Sequence, residues 1–343
     1  MQCVFPGKEW DWADPKDSGF DATRLEEARQ WLVNEAGEQL YRIVVVRHGR
    51  IVAEWQQGVE TETRLNLASA TKSSFSSMLG IAIDEGRIAS ADDRLISYFP
   101  QFMDVPEGRG PKPGRHAKPE DKDITFRQLI SNTSGYMKPG ETPGMQFHYQ
   151  TFGMNVLCHG IESAYGVYDA ENPDALPGIG MLIEEKIRNK IGAGWAYRYT
   201  DFKHPPDALV NIFGHSPRID SSCRDLARAG LLWLHFGRWD EEQVIPEAWM
   251  REATVTAPEI REHCPREEWC YGYAFWTNDH ARLWPSLPRD SFAASGAGRK
   301  HCWVAPSLDL VVAQCPGLCD EQRHNAGVLG RIVLAIVDGP RRE

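Results

Sequence analysis

The sequence predicts an α/β domain plus an all-α domain: an antiparallel sheet flanked by helices from the two chain ends, with a helical domain inserted between them. Three observations predict this. Strand pairs joined by turn signals occur near both ends, an amphipathic helix lies outside each pair, and the convincing elements of the middle are helical. At 343 residues the chain is long enough for about two domains. The expected division is 1–71 and 235–343 for the sheet domain and 72–234 for the helical domain, with the active site between them.

The elements follow in order. Asp21 stands at an N-cap position before ATRLEEARQWLVNEA, whose Leu25, Ala28, Trp31 and Leu32 recur at helical spacing. Tyr41 to Arg47 is rich in β-branched residues, His48-Gly49-Arg50 is a turn signal, and Ile51 to Trp55 resumes an extended pattern, so the two runs form a hairpin. Helical runs then cover Ser73 to Asp84, Thr125 to Ile130, Thr151 to Tyr165, Ile179 to Asn189 and Cys223 to Leu234. Near the end, Lys300 to Ala305 and Leu310 to Gln314 flank a turn at Pro306-Ser307-Leu308-Asp309. A helix from about His324 to Val337 closes the chain on Val328, Leu329, Ile332, Val333 and Ile336. The Pro- and Gly-rich stretches Pro106 to Asp123 and Asp169 to Gly180 read as surface loops, either the rim of a cleft or solvated connections.

Composition excludes several classes of function. An apolar content of 42% with 12 Trp, 13 Phe and 10 Tyr provides a core and rules out a mainly disordered chain. A net charge of −10 opposes a nucleic-acid surface, which needs clustered positive charge. No apolar run is long enough for a membrane span, and Met1 to Trp12 lacks the basic flank and apolar stretch of a secretory signal. The cytoplasm is therefore the expected compartment, or the periplasm if a signal peptide has been removed. The cysteines form no C-x-x-C pair and read mostly as small buried residues; a Cys315–Cys319 or Cys264–Cys270 disulfide would need an oxidising compartment. No metal and no cofactor are expected.

Chemistry concentrates at Ser69-Ala70-Thr71-Lys72, where Leu65-Asn66-Leu67-Ala68 gives way to a helical run. On the first turn of a helix, residues three apart share a face, so the Lys72 amine reaches the Ser69 hydroxyl. Ser69 also sits where backbone N–H groups and the helix dipole favour a developing oxyanion. Apolar neighbours such as Phe75, Met78 and Leu79 would lower the lysine pKa and make its neutral form a proton acceptor. The competing reading is an N-capping Ser69 with an exposed Lys72.

Three further segments give the tetrapeptide a context: Ile124 to Gly135 (ITFRQLISNTSG), Phe147-His148-Tyr149-Gln150-Thr151, and Ala294-Ser295-Gly296-Ala297-Gly298. In this order, with Asp220 to Arg228, Gly237-Arg238-Trp239 and Val244 to Trp249 between the last two, the chain resembles the β-lactamase-related serine hydrolases. That family covers class C β-lactamases, D-alanyl-D-alanine peptidases, esterases of the same fold and 6-aminohexanoate-dimer hydrolases, and the resemblance spans most of the chain. It implies a β-lactamase/transpeptidase-like fold, Ser69 as acylated nucleophile, Lys72 as its activating partner and Tyr149 as a proton relay. It also implies that Ala297 supplies an oxyanion N–H beside that of Ser69, and that Thr151, Ser295 and Gly296 line the substrate cleft. Asn132 resembles a structural position of the family's L-x-x-[HN]-T-S-G loop, where Gly135 lets the backbone turn.

Two departures narrow the substrate. Thr151 stands where class C β-lactamases carry Asn, and Ala294 where they carry Lys, so a β-lactam is a poor candidate. Arg299, with Lys300, would then grip a substrate carboxylate unless it only decorates a solvent-facing turn. His148 and His301 read as hydrogen-bonded structural histidines, and Trp195, Trp269, Trp276 and Trp284 as core or pocket walls. The expectation is a serine hydrolase acting on a small-molecule ester or amide. The alternatives are a non-catalytic scaffold of the same fold, or a true β-lactamase or penicillin-binding protein. Oligomeric state stays open.

Overall fold

The structure is a computed structural model and describes residues 3–200, 214–319 and 321–338; residues 201–213 of the expected helical domain and Met1-Gln2 lie outside the described residues. The elements run α1 (Ala22–Ala36), β1 (Tyr41–Arg47), β2 (Arg50–Gln57), β3 (Leu65–Asn66), α2 (Lys72–Asp84), α3 (Phe126–Ile130), α4 (Phe152–Tyr165), α5 (Gly178–Ile183), β4 (Ala196–Thr200), β5 (Ser216–Ser221) and α6 (Cys223–Leu234). They continue with β6 (Arg238–Trp239), β7 (Glu242–Gln243), α7 (Glu247–Ala253), α8 (Pro258–His263), β8 (Trp276–Thr277), β9 (Phe292–Gly296), β10 (Lys300–Ala305), β11 (Leu310–Gln314) and α9 (Ala326–Leu334).

The main sheet has the order β2-β1-β11-β10-β9-β8, and its pairs are antiparallel. Strands from the two chain ends thus meet at its centre, where β1 lies beside β11 with Val45 opposite Val312. The β1–β2 turn takes positive φ at both His48 (52°) and Gly49 (73°), the twist-compatible geometry of a two-residue hairpin. His48 tolerates it because its Nδ1 lies 2.6 Å from Asp309 Oδ2 on the neighbouring turn.

Both faces of the sheet are covered, and this is why its strands read as continuous apolar runs. Ile43, Val45, Trp303, Leu310 and Val312 point to one face and pack with Leu25, Leu32, Leu329 and Ile332 of α1 and α9. Their neighbours Val44, Val46, Cys302, Val304 and Val311 point to the other face, into a larger core shared with α6 and α2. Each such side chain, once buried, contributes about 1.5–3 kcal/mol. Asp21 caps α1 by accepting from the amides of Thr23 and Arg24. Gly230 of α6 has no room for a side chain: a Cβ there would lie 2.5 Å from Val311, so the glycine sets the approach of α6 to the sheet.

The middle of the chain holds more than helices. A three-stranded sheet β3-β5-β4 lies there, and it pairs the segment leading to Ser69 with β5 through Leu65–Ser221 and Asn66–Asp220. The run expected as one helix over Ile179 to Asn189 is α5 followed by a π-helical stretch, Glu184–Arg188. Helix α2 is buried all round, from Lys72 to Ala82. Among the described residues no helix is long and apolar enough to cross a membrane.

Candidate active site

Ser69 does not lie on α2 itself but in a 3₁₀ turn, Ala68–Thr71, that feeds it. The preceding residue, Ala68, is held at φ 50°, a conformation that alanine rarely adopts. Its amide donates to Asn66 Oδ1 at 2.6 Å, and Leu67 N donates to Ile219 O at 2.9 Å, so the neighbouring chain dictates the bend. Lys72 then opens α2 one turn after Ser69.

The lysine is the centre of the cluster. Its Nζ lies 2.9 Å from Ser69 Oγ, 2.7 Å from Tyr149 Oη and 3.3 Å from Thr151 Oγ1, and the residue is only 4% exposed. An exposed Lys72 beside a capping Ser69 is therefore excluded. Burial lowers its pKa to about 7, with Arg218 of β5 adding repulsion and Cys158 opposing it. Burial also raises the Tyr149 phenol, and a hydrogen bond with Ser69 pulls it partly back. Alcohol, amine and phenol thus share one set of protons, with the amine poised to be neutral.

Tyr149 is fixed on both sides. The amides of its neighbours His148 and Gln150 donate to Asn132, to the carbonyl and to Oδ1, each at 2.9 Å. Asn132 sits at φ 59°, and its amide Nδ2 donates to Tyr271 Oη at 3.2 Å. The Tyr149 ring stacks on Trp276 at 5.7 Å and meets Tyr271 edge-on at 5.8 Å. Trp276, from edge strand β8, is thus a wall of the site and no mere core residue; nothing in its local sequence marks it.

Strand β9 closes the other side. A Cβ on Gly296 would lie 2.0 Å from Leu67 O and 3.0 Å from Ser69 N, so only glycine lets this strand press on the Ser69 turn. Ser295 precedes it, opposite His301, and the exposed Ala297 follows it into the β9–β10 turn. Arg299 does not join the cluster: its guanidinium donates to Gln39 Oε1 at 2.9 Å, beside the start of β1. His148 is exposed and lies 2.9 Å from Glu141 Oε1. His301 is buried without a hydrogen bond on either ring nitrogen among the described residues, against expectation. It faces Trp284 edge-on at 6.0 Å, and burial lowers its pKa to about 3, so it stays neutral.

A cleft of about 360 Å³ opens beside Tyr149 and Thr151, and the loop from Pro106 to Asp123 forms its far wall through Pro111, Lys112 and Arg115. Neither disulfide allowed by the spacing is formed: Cys264 is a thiol that accepts from Phe147 N, and Cys315 is a buried thiol. Among the described residues, the one group placed to hold a metal ion is Cys3, His235 and Asp309, with ligand atoms within 4.8 Å of one another. It shares no residue with the Ser69 cluster.

The beta-lactamase family model matches residues 39–314, which spans every motif described above. The chain belongs to the beta-lactamase family. It is 38% identical to beta-lactamase-like protein 1 of Dictyostelium discoideum over 138 residues, which is 38% of this chain but only 22% of that relative's length. It is 23% identical to 6-aminohexanoate-dimer hydrolase of Paenarthrobacter ureafaciens over 339 residues, 92% of this chain and 81% of the relative. Among solved structures, a family VIII carboxylesterase superposes with a TM-score of 0.64 at 16% identity, covering 95% of this chain and 99% of that one. The fold is thus β-lactamase/transpeptidase-like, and the family is one of serine hydrolases, with esterases and amide hydrolases among the relatives.

Proposed function

We propose that this beta-lactamase-family protein hydrolyses a small ester or amide through an acyl-enzyme on Ser69. The observation that carries the reading is the buried Lys72 amine in hydrogen-bond reach of both the Ser69 hydroxyl and the Tyr149 phenol. A scaffold has no use for a lysine held near neutrality at such a cost in burial. Ser69 Oγ attacks the substrate carbonyl as its proton passes to Lys72 Nζ, and Tyr149 relays a proton to the departing alkoxide or amine. Water then attacks the acyl carbonyl with its proton taken by the same pair, and Ser69 is restored. The amides of Ser69 and Ala297 hold the tetrahedral oxyanion, a contribution of about 3 kcal/mol per donor in comparable sites.

In this reading the active site lies between the sheet domain (1–71 and 235–343) and the helical domain (72–234), with Thr151, Ser295 and Gly296 placed to line its substrate-binding part. The unbridged thiols at Cys264 and Cys315 favour a reducing, cytoplasmic setting. The absence of Asn and Lys at Thr151 and Ala294 disfavours β-lactams. The test is hydrolysis of a panel of p-nitrophenyl esters and linear amides, together with labelling by a fluorophosphonate read by mass spectrometry. The wild type turns over at least one substrate and carries the label on Ser69, and Ser69→Ala loses both. A folded wild type that neither hydrolyses nor labels would sink the proposal.

A further inference from the structure

The cleft beside Tyr149 has an electrostatic character that the chain as a whole lacks. The protein carries a net charge of −10, yet this cleft is walled by Lys112, Arg115 and Lys138, next to Tyr149 and Thr151. Lys138 is only 3% exposed, and its Nζ has no hydrogen-bond partner among the described residues. Among the described residues its near counter-charge is Glu141 Oε1 at 3.5 Å, an oxygen that His148 Nδ1 also approaches, at 2.9 Å. Arg115 Nη1 is likewise buried with no hydrogen-bond partner. Lys138 and His148 share one oxygen of Glu141, Arg115 feels the same carboxylate, and Glu141 Oε2 is itself without a hydrogen-bond partner among the described residues.

Leaving such donors buried and unmet costs about 1–3 kcal/mol each, more when the group is charged. A structure that bears this cost in a cleft bordered by Tyr149 and Thr151 is prepared for a ligand that supplies the acceptors. The arrangement also explains the sequence departures. Ala294 leaves β9 without a cation, and Arg299, the substitute suggested by the sequence, is directed to Gln39 instead. The positive charge is found instead beside Tyr149 and Thr151, carried by the loop over Pro106 to Asp123 and by Lys138.

Resting on the hydrolase reading above, we propose that Arg115 and Lys138, with Lys112 at the rim, form an oxyanion subsite that selects esters or amides bearing a carboxylate. Planar Arg115 offers a fork to the two carboxylate oxygens, and Lys138 a point charge beneath it. Because the cleft also touches Tyr149 and Thr151, a substrate held there lies beside the Lys72 cluster.

Two matched ester pairs test this and separate the acyl side from the leaving side. The first pair is mono-p-nitrophenyl glutarate against p-nitrophenyl glutaramate; the second is p-carboxyphenyl butanoate against p-carbamoylphenyl butanoate. In one of the pairs, kcat/KM favours the carboxylate by about tenfold or more, as charged hydrogen bonds would give. That preference falls by about tenfold in Lys138→Met and in Arg115→Gln, and Lys138→Arg restores part of it. Neutral esters report the hydrolase reading independently, since Ser69→Ala abolishes their turnover whatever the preference. Should no ester turn over, calorimetric titration with glutarate against glutaramide still decides: tighter glutarate binding that Lys138→Met removes upholds the subsite. Equal handling of both members of both pairs, or a preference that survives Lys138→Met and Arg115→Gln in folded protein, overturns it.

Discussion

Replacing Lys72 by Arg keeps a cation at the centre of the site but removes a base able to lose its proton. In the wild type, burial is the largest cause holding the amine at about 7 instead of the ordinary 10.5, with Arg218 adding to it. At pH 7 about half of the molecules then carry a neutral amine, against about one in three thousand for an ordinary lysine. That ratio corresponds to roughly 4–5 kcal/mol of differential interaction between the charged and neutral amine, most of it desolvation, and it raises the fraction of enzyme holding a free base before any substrate arrives. On a neutral p-nitrophenyl ester, kcat/KM should therefore rise through a single ionisation near 7 and stay level above it, because burial pushes the Tyr149 phenol above its usual value. Lys72→Arg should flatten the profile and lower kcat by about 10²–10⁴. Initial rates from about pH 5.5 to 9.5, corrected for spontaneous hydrolysis, supply the measurement. A rate that still climbs about tenfold per pH unit at about pH 9.5 with no inflection near 7, or a Lys72→Arg profile that overlays the wild type, would refute the assignment of Lys72 as the base.

The same lysine governs stability. Its pKa is lower folded than unfolded, so between about 7 and 10.5 the unfolded chain binds more protons, and stability rises with pH by about 1.4 kcal/mol per pH unit from this group. Lys72→Met should be more stable than the wild type at neutral pH and should lose that slope, as measured by urea unfolding across the window; an unchanged slope would count against the burial argument. Asn132→Ala should cost about 1–3 kcal/mol and reduce kcat by about tenfold with a smaller change in KM, because it leaves Gln150 N, just after Tyr149, and the Tyr271 hydroxyl without their side-chain partner while the His148 N bond to the carbonyl of residue 132 remains. Unaltered kcat in a folded Asn132→Ala variant would show that Tyr149 needs no such tether. Gly296→Ala should lower kcat by about 10² or more, since its Cβ would sit 2.0 Å from Leu67 O and drive β9 from Ser69; near-native turnover would contradict the packing.

Legibility followed the range over which each feature is determined. Strands β10 and β11 and helix α6 lie where the sequence reading puts them, because burial on both sheet faces leaves long apolar runs between sharp turns. Helix α1 begins at its cap because Asp21 meets the local amides directly. Strands β3, β4 and β5 escaped the reading: they form a small sheet whose members are partly exposed, and Ala196–Thr200 offers no apolar face. Ser69 and Lys72 could be paired from spacing alone, but Tyr149 was reached only through resemblance, since no local pattern ties residue 149 to residue 72.

The least legible features are the ones that make the chemistry. Four letters, Ser-Ala-Thr-Lys, specify a hydroxyl and an ammonium on neighbouring turns, and in water that ammonium would remain protonated and inert as a base. What converts it is supplied from elsewhere: Tyr149 held by Asn132, Arg218 from β5, and a glycine strand pressed against the turn. Each of these residues has an ordinary local environment in the sequence and acquires its role only when the chain closes around Lys72. On the proposed reading the same tetrapeptide on an exposed helix would carry no activity, because the base depends on the burial of the lysine, and a variant that admits water to Lys72 should lose catalysis with Ser69, Lys72 and Tyr149 all intact.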